Sequence, residues 1–279
     1  MPVLPRVLPR VLPLPLLVLL IGLWAGIAPA ADRDRLRAFL EITGFDMALD
    51  SIALSAADAP AMVGLAPGDF GLAWPRIRDE VFDPAAMRAQ ALDILAQTLD
   101  EEMLGHAASF YASGLGQRLV AVENASHMRP GGADEQAEGE ALLAAMDARR
   151  RGALAAMNDA IDVSGQSVIA VQELQFRFLM AASAAGLTED EIDAATLRQV
   201  LAQGAEEMRA QMRAAALASA ALTYRDIPTA ELRAYAEALA HPVMARVYEL
   251  MNAVQYEIMA DRFERLARRL AEVPRAQDL

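Results

Sequence analysis

Apolar positions recur every three or four residues along most of the chain, the spacing that lines one face of an α-helix. Residues 32–43 read as a first helix with Leu36, Phe39 and Leu40 on one side, and Gly44 as its left-handed stop. Asp46 is placed to cap a second helix carrying Met47, Ile52 and Leu54. From residue 58 to 73 the period fails, and Pro60, Gly64, Pro67, Gly68 and Gly71 mark an irregular loop. Trp74-Pro75 reopens a short helix. In Phe82-Asp83-Pro84 the aspartate can cap, the proline suits the first turn, and Phe82 can staple onto Met87. That helix runs to about Gln97.

The stretch from Thr98 to Met128 occurs twice. Shifted by 128 positions, Leu99 falls on Ile227, Leu104 on Leu232, Leu115 on Val243, Arg118 on Arg246, Leu119 on Val247, Val122 on Leu250 and Asn124 on Asn252. Met87-Arg88-Ala89-Gln90 recurs upstream of the second copy as Met208-Arg209-Ala210-Gln211. Thr98 and Glu101 form a T-x-x-E box that would open the first arm. Ser113-Gly114 breaks the period in copy one and His241-Pro242 in copy two. These are different residues for one task, ending one helix and starting the next. Internal repetition dictates architecture, so the chain is expected to be an all-α, multi-helix bundle built from two related helical halves.

Between the copies, Arg129-Pro130-Gly131-Gly132 reads as a turn, followed by one polar helix from Asp134 to about Asp162. Its Arg149-Arg150-Arg151 run reads as a solvated face. Residues 163–186 are the most apolar part after the first thirty and read as the central buried helix of the second half, with Glu173 and Arg177 paired across one turn. Thr188 and Glu191 form a capping box, with Leu187 and Ile192 as its staple, for a helix reaching about Thr223. Asp226 or Thr229 would cap the second copy, and its last arm runs from Pro242 to about Glu272. The domain reading is therefore a leader over 1–30, an N-terminal half over 31–128, a linker and polar helix over 129–161, and a C-terminal half over 162–279.

Composition sharpens this picture. Hydrophobic residues make up 55% but aromatics only 5%, so the apolar content is mostly alanine, leucine, methionine and valine, the first three strong helix formers. Formal net charge is −13, which weighs against nucleic acid and anionic lipid surfaces as partners. There is no cysteine, which excludes disulfides, thiolate metal sites and a thiol nucleophile. Arg6 and Arg10, the apolar run Leu14–Ala28 and the small residues Ala28-Pro29-Ala30 have the form of a cleaved secretory signal. The run is shorter than the roughly 20 residues of a bilayer span. A periplasmic location with no stable membrane span after cleavage is expected.

No reaction is legible. Glu102 and His106 lie four apart on one arm, and Glu123 and His127 repeat that spacing on the next. If the arms pack antiparallel, Glu102, His106 and His127 could meet a metal ion. The plainer reading gives them surface and capping roles, and the second copy has Ala234 and Gln255 where the histidines would be. No phosphate loop, nucleophile elbow or H-E-x-x-H is present. The matched pairs Arg118/Arg246 and Asn124/Asn252 could line a shared pocket, or could bond helix ends across the junction between copies. Tyr111 beside Phe110 reads as core.

The words LRAFLEITGFD, FYASGLGQRL and VENASH resemble bacterial exported proteins carrying the domain-of-unknown-function family 2059 (DUF2059). The resemblance is to the first copy and its flanks, from about Met87 to Met128. It implies an envelope location and a helical fold. It brings no activity, cofactor or site residue with it. The first functional expectation is a non-enzymatic interaction or scaffold protein with an unknown protein partner. The alternatives are a carrier of an apolar small molecule or lipid held between the halves, and a metal-dependent enzyme using Glu102, His106 and His127.

Overall fold

A computed structural model describes residues 33–57, 59–129, 131–162 and 165–273. The leader expected over 1–30 and the tail from Pro274 lie outside them. The described residues form α-helices joined by short turns and 3-10 segments, with no strand. The N-terminal part runs α1 (Arg33–Thr43), α2 (Phe45–Asp50), α3 (Ile52–Ser55), α4 (Ala73–Val81) and α5 (Pro84–Thr98). Gly44 sits at φ 78 between α1 and α2, the left-handed geometry a glycine adopts without steric cost. Asp46 lies inside the first turn of α2 and makes no cap bond. The described part of the loop, residues 59–72, holds two 3-10 turns, Ala59–Val63 and Pro67–Phe70, and Ala73 already belongs to α4. Asp83 caps α5 through the amides of Ala85 and Ala86, with Pro84 in the first turn and both Phe82 and Met87 buried.

The repeated unit is two hairpins: α6 (Glu101–Tyr111) with α7 (Gly114–His127), and α13 (Thr229–Leu239) with α14 (Pro242–Ala271). At the offset of 128 the start and end of α6 fall on those of α13, and the start of α7 on that of α14. The break is capped in both by the residue expected. The Ser113 hydroxyl accepts from the Gly116 amide at 3.0 Å, and His241 Nδ1 accepts from the Val243 amide at 3.3 Å. The start of the first arm differs from expectation. Asp100 caps α6, because Thr98 ends α5 and spends its hydroxyl on the Ile94 carbonyl.

Between the hairpins lie α8 (Ala133–Ala145), α9 (Ala148–Ile161), α10 (Gln166–Ala184), α11 (Ala194–Gln203) and α12 (Ala205–Thr223). The single polar helix expected over 134–162 is two helices. Asp147 accepts from the amides of Arg149 and Arg150, opening α9 as a new helix. The capping box at Thr188 is not used. Leu187 is drawn instead into the end of α10, where its amide reaches the Ala182 carbonyl and Gly186 takes φ 74, the paired turn that closes many helices. The Thr188 hydroxyl then bonds the Asp190 carbonyl, and Asp193 caps α11. The chain stays non-helical from 187 to 193, and a second break at Gly204 separates α11 from α12.

The central helix is α14, not α10. Twelve of its residues are buried, among them Met251, Ile258, Phe263 and Leu270. Helices α4, α5, α6, α9 and α10 all pack on it. The only buried residues of α10 are Val168, Leu174, Phe178 and Ala182. Glu173 and Arg177 do not pair: Glu173 meets Arg198, and Arg177 bridges Glu257 and Glu264 of α14. Helix α8 lies along α12 and α9 along α13. One apolar cluster runs from Leu36 to Leu270, so both halves share a core. The buried Arg262 ties α14 to the N-terminal part, donating to the Val81 carbonyl and to Gln90 Oε1.

Candidate functional site

The two hairpins meet through tyrosines. Tyr111 ends α6, Tyr235 lies mid-way along α13, and Tyr248 lies on the second turn of α14. All three are buried. Tyr111 Oη lies 3.0 Å from Tyr235 Oη, Tyr235 Oη lies 2.9 Å from Tyr248 Oη, and a short contact from Tyr111 to Tyr248 closes the ring. Each hydroxyl carries one proton and can both donate and accept, so the three can bond one another without a charged partner. Burial raises the pKa of all three phenols, which keeps them protonated.

Beside the ring is a carboxyl. The Tyr224 hydroxyl donates to Glu123 Oε1 at 2.6 Å. Desolvation raises the Glu123 pKa, against a smaller lowering by the Tyr224 and Tyr235 hydroxyls. Among the described residues no arginine or histidine forms an ion pair with it. Tyr224 is held in place by Arg150, whose guanidinium takes the carbonyls of Tyr224, Arg225 and Ile227 at 2.6, 3.0 and 2.7 Å. Arg150 is therefore not part of a solvated face. It fixes the turn between α12 and α13, where neither Asp226 nor Thr229 supplies a cap.

These groups border a cavity of about 230 Å³ at the seam between the copies. Glu123, Asn124, Tyr224, Tyr235, Tyr248 and Asn252 stand in its wall, with His127 at the edge. The equivalent residues Asn124 and Asn252 thus line one space. Asn252 also bonds a helix end, donating to the Ile161 carbonyl at 3.2 Å. Asn124 Oδ1 is buried without a hydrogen-bond partner. It lies 2.6 Å from where a Cβ on Gly44 would stand. The matched arginines exchange partners across the seam: Arg118 meets Glu231 at 2.8 Å, and Arg246 meets Glu102 at 2.5 Å.

A second space lies elsewhere. A cleft of about 500 Å³ opens between α10 and α14 over the end of α9. Its walls are Ala160, Ala170, Leu174, Ala253 and Ala260, with Tyr256 beside Asn252. Ile169 also borders it and is 55% exposed. Alanines on facing helices leave the room that larger side chains would fill. Glu173, Arg177, Arg246, Glu249 and Glu257 form a charged rim. The seam cavity thus takes residues from both copies, and the cleft takes its walls from α9, α10 and α14.

The residues proposed from sequence as a metal set are not brought together. Glu102 is committed to Arg246. His106 stacks on His241 with ring centroids 4.3 Å apart, and burial, then His241, lowers its pKa. His127 belongs to the seam cavity. Among the described residues no group of three or more His, Asp or Glu side chains could hold a metal ion. No described helix is long and apolar enough to cross a membrane. Sequence reasoning placed Tyr111 correctly in the core but missed its partners. The tyrosines are over a hundred positions away in the chain, and periodicity reports a helix face, not what covers it.

No curated protein and no solved structure matches the chain. Residues 85–144 match the model of a family described as an uncharacterized protein conserved in bacteria (DUF2059). The match takes in FYASGLGQRL and VENASH but leaves LRAFLEITGFD outside. From α5 to α8, including the α6–α7 hairpin that carries Tyr111 and Glu123, this chain is similar to the bacterial DUF2059 family.

Proposed function

We propose that the protein is an exported, non-catalytic binding protein of the bacterial envelope that carries a small apolar molecule in the α10–α14 cleft. The observation behind this reading is the cleft itself. Its volume of about 500 Å³ falls within the roughly 300–1,000 Å³ typical of small-molecule sites, which are also mostly apolar with few polar groups. The polar groups at the seam are hydroxyls, amides, a carboxyl and the His127 imidazole, and among the described residues no hydroxyl is hydrogen-bonded to His127 as a nucleophile is to its base, which favours binding over catalysis. A scaffold role has less support. Among the described residues the exposed large hydrophobics Leu54, Leu72, Met128, Ile169 and Val200 are spread over separate helices and turns, and scattered apolar residues need no partner. Export rests on the leader-like pattern of residues 1–30.

Displacement of an apolar fluorescent dye from the full chain, with native mass spectrometry of freshly purified protein, tests the carrier reading. Saturable dye binding that weakens about tenfold or more in Ala253→Trp is expected, since the new ring occupies the cleft. Dye binding that ignores this substitution would sink the assignment. Cell fractionation with N-terminal sequencing tests export: a chain beginning at Ala31 in the periplasmic fraction is expected, and an uncleaved cytoplasmic chain contradicts it.

A further inference from the structure

We propose that the seam cavity is a second site, separate from the cleft, that binds a small organic ammonium ion. The argument is an inventory of donors and acceptors. The donors with identified partners are already spent. The hydroxyl of Tyr248 is used within the ring, that of Tyr235 on the ring or on Glu123, that of Tyr224 on Glu123, that of Thr43 on the Phe39 carbonyl, and the Asn252 amide on the Ile161 carbonyl. Gln255 and His127 also stand in the wall with donors of their own, but the buried polar atom left without a partner there is an acceptor. Asn124 Oδ1 is buried and unpartnered, and Glu123 Oε2 faces no cation among the described residues. A buried acceptor without a donor is costly, and a desolvated carboxylate without a counter-ion more so. The wall therefore suits an occupant that brings both N–H donors and positive charge.

The rest of the wall fits the same occupant. Tyr224, Tyr235, Tyr248 and Phe45 surround the space, and Phe45 meets Tyr248 edge-on with centroids 5.6 Å apart. Aromatic faces attract cations, most strongly away from water. At about 230 Å³ the cavity is several times the roughly 30 Å³ share of one water in the liquid. The ligand class is thus a compact primary ammonium, its nitrogen between Glu123 and Asn124 and its carbons among the rings. Gly44 makes the arrangement possible, because any side chain there would collide with Asn124 Oδ1.

The test uses the full chain with n-butylammonium as probe and n-butanol as its neutral counterpart. Binding is followed by calorimetry and by chemical shifts of the tyrosine rings. Butylammonium is expected to bind saturably and about tenfold or more tighter than butanol, the scale of one charge-assisted hydrogen bond. Glu123→Gln keeps the shape and an acceptor oxygen, so it should fold with a cooperative melt and lose that preference. Tyr235→Phe keeps the ring and should retain it. Ala253→Trp, which fills the cleft, should leave butylammonium binding unchanged, so the two sites fail or stand separately. Equal binding of the two probes, no saturable binding, or a preference that survives in folded Glu123→Gln overturns the proposal.

Discussion

The two copies of the hairpin share their helix starts and their break, yet they occupy different places in the molecule. In copy one, α7 buries only Gly116 and Leu119, and its far end gives Glu123 and Asn124 to the seam cavity. In copy two, α14 continues from Tyr256 past the point equivalent to the end of α7 and becomes the axis on which both halves pack. Equal beginnings therefore do not mean equal roles. What separates them is length. The added turns of α14 carry Ile258, Phe263, Leu266 and Leu270, a stripe long enough to be covered by α4, α5 and α10. The shorter arm has no such stripe and can hold polar groups beside a cavity.

The sharpest way to break this comparison is to cut into the added turns. Phe263 is buried and meets Phe82 and Phe178 edge-on at 5.5 and 5.8 Å. Phe263→Ala is expected to cost about 3–5 kcal/mol, and Val122→Ala on half-buried α7 about 1 kcal/mol or less. Urea denaturation of both variants measures this, and comparable losses would refute the unequal roles. Next in size is the elbow. A Cβ on Gly116 would lie 2.4 Å from the Phe110 carbonyl oxygen and 2.5 Å from Tyr111 Cα. Backbone cannot step aside as a side chain can, so Gly116→Ala should cost about 1–3 kcal/mol. The equivalent Met244 is fully buried, and Met244→Leu should cost less than about 1.5 kcal/mol. A neutral Gly116→Ala would mean that the two elbows are interchangeable.

The third prediction concerns pH. Burial places the folded Glu123 pKa above its reference value of 4.5. A raised folded pKa means that the folded state holds the proton more tightly than the unfolded chain. The associated stability is fully present below pH 4.5 and is lost as pH rises through the folded value. Glu123→Gln should remove that decline and melt at or above the wild-type temperature at neutral pH. Thermal melts across this range decide it, and an unchanged slope in the variant would assign the effect to other groups. The smallest effect is expected for the exchanged ion pairs. Arg118–Glu231 and Arg246–Glu102 are both substantially exposed, so each should contribute less than about 1 kcal/mol. Double-mutant cycles should give similar coupling for the two, and a clear difference would show that the seam is not symmetric in energy.

Local signals announced much of this architecture. Gly44, Asp83-Pro84, Ser113-Gly114 and His241-Pro242 act where their backbone chemistry said they would, because caps and turns are decided within a few residues. Two local signals failed through competition. The Thr188 box lost Leu187 to the end of α10, and the T-x-x-E box at Thr98 lost its threonine to α5 while Asp100 took over the cap. The break at Asp147 was legible in principle, as an aspartate two residues before its first capped amide, but sat within an otherwise unbroken polar run.

By itself, then, the chain determined an all-helical fold, a unit made twice and the residues that end its arms. All of these follow from propensity, period and capping, which act over a few positions. Tertiary structure alone decided that α14 is the axis, that Arg150 fastens the turn holding Tyr224, and that tyrosines from three helices close a ring beside Glu123. Those facts depend on which faces meet once each apolar stripe is covered, a long-range choice that no local pattern encodes.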